Sequence, residues 1–206
     1  MKKVALIAMV LINSLAIAQD PYTKGMQKAF QLWGEGNTTE ASNQFERISS
    51  AESDNWLPAY YVSQVNTVAS FGEKDKDKLS IQLQKAQEFI DIAIAISPGN
   101  PEILVQQALI HTAWVAFDGA TYGMTLSGKV ALLYEEALQL APDNPRVVFS
   151  KAEWDMGSAR FFGRDISPYC KDVARALDLF ANFKPKTAFH PNWGKERAEK
   201  IVANCN

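Results

Sequence analysis

The sequence predicts an all-α protein, a solenoid of stacked helical hairpins. Three observations predict it. "SPGNPE" at 97–102 recurs as "APDNPR" at 141–146, an offset of 44 residues. Apolar residues recur at helical spacing on both sides of those stretches, and no segment alternates apolar and polar residues as a strand would. Fixed-offset self-similarity implies supersecondary units that bury their apolar faces by stacking.

The first element is a leader. "MKKVALIAMVLINSLAIAQD" opens with Lys2 and Lys3, continues with an apolar run from Val4 to Ile12, and offers Ala16-Ile17-Ala18 as a cleavage site. The apolar run is short for a bilayer span, so export with cleavage after Ala18 is expected, and no membrane span afterwards. The chain would then reside in the periplasm or outside the cell. Residues 1–18 are read as the signal peptide and 19–206 as one helical-repeat domain. Removing the leader lowers the 21 basic residues to 19 against 23 acidic ones, a formal charge of −4. That mild acidity gives no support for a nucleic-acid or anionic-membrane partner.

The helices follow in order near 21–35, 38–50, 55–71, 78–96, 101–116, 127–140, 145–160, 167–183 and 191–204. Pro98 and Pro142 stop the helices before them, because proline lacks the N–H that a continuing helix donates. Asn100 and Asn144 are positioned to cap the next helices, with Pro101 and Pro145 in their first turns. Within the second helix of each pair, a small, a large and a small or apolar residue fall at Ala86/Ile90/Ala93 and Val130/Tyr134/Ala137. The same spacing occurs at Ala41/Phe45/Ile48 and at Val173/Leu177/Phe180, so the first members lie 45, 44 and 43 residues apart.

The stretch "YEEALQLAPDNPRVVFSKA" (134–152) resembles the tetratricopeptide repeat, with its small residue, aromatic, alanine and closing proline. The chain as a whole is similar to exported tetratricopeptide-repeat proteins of Bacteroidetes-type bacteria. The resemblance implies about four helix A–helix B units with a C-terminal capping helix. It departs in length, since the family's period is about 34 residues. The excess of 11, 10 and 9 residues falls between helices A and B, in "FGEKDKDK", "FDGATYGMTLSGK" and "RFFGRDISP". These are expected to be lengthened loops on one face.

The resemblance further implies a concave groove lined by the A helices that holds a protein or peptide segment. By register its candidates are Tyr60, Gln64, Val105, Leu109, Phe149 and Glu153. The family's carboxylate clamp of Lys, Asn and Arg is missing, because the matching places hold Tyr, Val and Phe. An apolar or aromatic-rich segment is therefore the expected partner. The alternatives are a permanent subunit of an envelope assembly, or a small-ligand binder or enzyme using the long A–B loops.

No motif points to catalysis, a cofactor or a metal. "GMTLSGKV" (123–130) has the outline of a phosphate loop, but Val130 stands where a Mg²⁺-binding hydroxyl is required, and a helix precedes it instead of a strand. His111 is read as a packed helix residue and His190 as the end of a loop. Asp75 and Asp77 lack the remaining ligands of a calcium loop.

Cys170 and Cys205 are the two cysteines, and an oxidising compartment favours their pairing. Each lies about 13 residues from the turn between the last two helices, so an antiparallel pair brings them to one height. Two unpaired thiols or an intermolecular bond through Cys205 are the alternatives. Mass spectrometry of protein from its native host should find residues 1–18 missing and Gln19 at the start; an intact Met1 in the soluble fraction overturns export.

Overall fold

The computed structural model describes residues 20–205, so the leader and the Ala18–Gln19 junction lie outside the described residues. The described part is an all-α, tetratricopeptide-like solenoid. Helix α1 (Pro21–Gly34) pairs with α2 (Thr38–Ala51), and α3 (Trp56–Ser70) with α4 (Lys76–Ile96). Next, α5 (Pro101–Phe117) pairs with α6 (Gly119–Leu140) and α7 (Pro145–Phe161) with α8 (Ser167–Asn182). Helix α9 (Lys195–Ala203) packs on α8. Among the described residues no helix is long and apolar enough to cross a membrane.

Local chemistry sets the hairpin ends. The Asn100 side chain accepts from the Glu102 N–H and Asn144 from the Arg146 N–H, each at 3.0 Å, with Pro101 and Pro145 opening their helices. Asn55 caps α3 in the same way through Leu57 N–H. Stacking follows from the small–large–small triplets. Ala86, Ile90 and Ala93 are buried, as are Val130, Tyr134 and Ala137, so α4 and α6 seat closely on their partners. In α8 the pattern is looser, with Leu177 half-buried and Ala176 buried beside it.

Two elements differ from the sequence expectation. Helix α6 starts at Gly119 and not near 127, because Asp118 accepts from the Thr121 N–H at 3.0 Å and from its hydroxyl, starting a helix inside the insertion. Most of the second expected loop is therefore two extra helical turns. The phosphate-loop outline lies within this helix, where the backbone N–H groups bond along the axis. Helix α9 starts at Lys195, after Gly194 turns the chain at φ 106°. A Cβ there would meet Phe180 at 3.0 Å and Phe149 at 3.4 Å, so glycine is required on both counts.

Cys170 and Cys205 form a disulfide, with Cα atoms 6.0 Å apart and a sequence separation of 35. It ties the end of α9 back to the start of α8. Closing that loop stabilises the fold by about 3–4 kcal/mol in the chain-entropy picture. Non-reduced, unfolded protein should show no reactive thiol, and Cys205→Ser should melt well below wild type; two free thiols or an unchanged melting temperature would contradict the bridge.

Candidate functional site

The A helices α3, α5 and α7 do form an inner face, but residues 183–194 lie along it. This segment, "FKPKTAFHPNWG", looks from the sequence like a simple turn into α9. In the structure it is a strap. Tyr61 Oη donates to the Phe189 carbonyl at 2.8 Å, and Trp193 Nε1–H donates to Tyr60 Oη at 2.9 Å. Phe189 packs on Tyr22 and Phe30 of α1, with ring centroids 5.6 and 6.0 Å away. The strap thus reaches from α8 across to α1 and returns.

Beneath it is a buried ion pair. Glu102 of α5 and Arg146 of α7 occupy the same place in successive repeats, one residue after the proline, and both are almost fully buried. Arg146 Nε donates to Glu102 Oε2 at 2.7 Å, its terminal nitrogen bonds Oε1, and Asn144 adds a bond to Oε1 at 2.6 Å. The strap covers this pair from the groove side. Phe183 lies under the Arg146 guanidinium at 4.3 Å, and His190 Nε2 is 3.7 Å from Glu102. His190 stacks on Phe183 and meets the edge of Trp56. Burial holds the His190 imidazole below its ordinary pKa; Glu102 opposes that shift, and Arg146 adds to it. Burial likewise pushes the Tyr60 and Tyr61 hydroxyls up, so both stay neutral hydrogen-bonding groups.

The six sequence candidates divide accordingly. Tyr60, Val105 and Phe149 are fully buried and present no free groove surface. Tyr60 is held by Trp193, and Phe149 packs against Phe180. Leu109 is half-buried and packs with Val105 and Tyr134, while Glu153 pairs with Arg197 of α9. Of the six, Gln64 lines a cleft. The physical reason is the strap, which fills the middle of the groove with aromatic side chains from the same chain.

What stays open is a cleft of about 450 Å³ between α1, α3 and the strap. Its aromatic walls are Phe30, Trp33, Tyr61, Phe189 and Trp193. Gln64, 4% exposed, lines it, and its Oε1 has no hydrogen-bond partner. An unpaired buried amide oxygen carries a desolvation cost that a donor on a ligand would relieve. Sequence reasoning missed Phe30, Trp33 and the strap residues. The available signal was a connector that carries Phe189, His190 and Trp193 within a few residues, which is too aromatic for a solvated turn.

Among the described residues no group of three or more His, Cys, Asp or Glu side chains converges to hold a metal. Asp75 instead caps α4, accepting from the Asp77 and Lys78 N–H groups.

No family model matches the chain, and no curated protein matches it. Among solved structures the chain is similar to the HusA haemophore from Porphyromonas gingivalis, at 19% identity and a TM-score of 0.79. That match covers 90% of this chain and 92% of the other. A thermophilic TPR protein of Thermus thermophilus matches at 14% identity and a TM-score of 0.42, covering 89% of this chain and 98% of that one. The first likeness shows a shared fold.

Arg146→Met should destabilise the protein by about 3–5 kcal/mol, because it strands a buried carboxylate. Glu102→Leu combined with Arg146→Met should recover much of that loss in urea melts; equal losses for the single and double variants would mean the pair is not coupled.

Proposed function

We propose that this chain is an exported, non-enzymatic binding scaffold whose ligand docks in the aromatic cleft between α1, α3 and the strap. The observation that supports the reading is the convergence of Phe30, Trp33, Tyr61, Phe189 and Trp193 around Gln64, whose Oε1 lacks a partner. Aromatic walls supply apolar area and ring stacking at low entropic cost, and a lone amide selects a donor on the ligand. The occupant is an apolar, aromatic-rich segment of a partner protein. It enters at the end of the groove, since the strap fills the middle.

A second occupant of the same cleft is a tetrapyrrole. The likeness to a haemophore over nine-tenths of the chain favours it, and flat aromatic walls suit a planar macrocycle. Neither occupant asks the protein to make or break a bond.

Trp33 is half-buried at the cleft wall, so its removal should spare the fold. Trp33→Ala should keep its helical circular dichroism yet lose capture of the partner segment from periplasmic extract. Hemin titration separates the occupants: a shifted Soret band with wild type, weakened in Trp33→Ala, selects the tetrapyrrole. If Trp33→Ala retains partner and hemin as wild type does, the cleft is not the site.

A further inference from the structure

The second insertion, residues 117–129, builds a cleft of its own. Without it the unit would return to the ordinary repeat length, and helix B would lack its first turns. The added turns carry Tyr122 and Leu126, one helical turn apart, against α4 and α5. Together with Leu83, Ile110 and Trp114 they wall a cleft of about 370 Å³. Trp114 and Tyr122 form its aromatic side, ring centroids 4.9 Å apart. The concave groove and its strap contribute nothing to this cleft.

One polar arrangement faces the apolar walls. Gln87 and Gln107 bond each other reciprocally, Nε2 to Oε1 at 2.9 and 2.8 Å. The Gln107 amide nitrogen also lies 3.3 Å from His111 Nε2. An amide nitrogen only donates, so His111 Nε2 accepts and the ring proton sits on Nδ1. Burial, and secondarily the Lys129 ammonium, hold the imidazole below its ordinary pKa, which agrees with a neutral ring. The nearest acid on this network, Asp91, accepts from Gln87 Nε2 at 2.8 Å. Lys129 is exposed and forms no ion pair among the described residues. A half-buried imidazole therefore lines the apolar slot, and Lys129, three residues beyond Leu126 on α6, carries an unpaired ammonium whose field reaches that imidazole.

We propose that this cleft is a separate ligand site for an apolar carboxylate with a flat ring body. The ring lies along Trp114 and Tyr122 against Leu83, Ile110 and Leu126. The carboxylate is directed to the ring N–H of His111 and to the Lys129 ammonium. The role of Lys129 is thus to pair with a carboxylate at a helix side, not to hold a nucleotide phosphate in a loop.

Calorimetry with 2-naphthoate and its uncharged analogue 2-naphthamide tests the site. Wild type should bind naphthoate, and the amide should bind about tenfold more weakly, the effect of losing one charge-assisted hydrogen bond. Lys129→Ala should weaken naphthoate by a similar factor and leave the amide unchanged. Leu126→Trp, which fills the slot, should abolish binding; Thr125→Trp, at an exposed lining position, serves if Leu126→Trp melts early. Trp33→Ala, in the other cleft, should bind naphthoate as wild type does. No heat at millimolar naphthoate, equal affinity for acid and amide, or loss of binding in Trp33→Ala would each overturn the proposal.

Discussion

The ion pair between Glu102 and Arg146 is the constraint on which the rest of the inner face depends. Burying two charges costs several kcal/mol each, and the cost is offset only when geometry and hydrogen bonding are complete. Here Arg146 makes two bonds to the Glu102 carboxylate and Asn144 a further one, while the remaining Arg146 nitrogen, Nη1, has no hydrogen-bond partner and the guanidinium lies against the Phe183 ring. Asn144 does this while capping α7. The cap of one repeat is therefore joined to the first turn of the preceding one, which fixes α5 and α7 side by side. The repeats are nearly identical at this point, and the difference between them, Glu against Arg, is the contact that couples them.

A pair of this kind must also be covered. Phe183 and His190 cover it from the strap, which gives the strap a structural reason to lie in the groove. Once there, it hydrogen-bonds Tyr60 and Tyr61 and meets α1 through Phe189. The disulfide then closes the loop that contains it, so the strap is held at its far end as well as along its length. The groove that the sequence led us to expect open to another chain is here filled by its own. Open clefts remain at the end of the groove and beside the extended α6.

Much of this architecture is legible in the residues. The helix ends follow from Asn-Pro caps and proline stops, each acting over three or four residues. The close contacts follow from Ala86, Ala93, Val130 and Ala137, which leave room for a neighbouring helix. The disulfide was legible too, because two cysteines at equal distance from one turn meet when the helices pair. The groove candidates were not legible in their surroundings: Tyr60 meets the strap, Phe149 packs on Phe180 of its hairpin partner α8, and neither meets solvent.

The sequence by itself determined the class, the hairpins and their stacking register, and it favoured the pairing of Cys170 with Cys205 that the structure shows. All of these rest on short-range rules or on one symmetric distance. Tertiary structure decided three other things. It placed residues 183–194 in the groove through contacts between residues 128 and 133 apart in sequence. It joined Glu102 to Arg146 across 44 residues. It turned most of an expected loop into the start of helix α6, where Tyr122 packs on Trp114. Each depends on which surfaces meet after the hairpins have formed, and that energy resides in burial and pairing between distant segments, not in the preference of any local stretch.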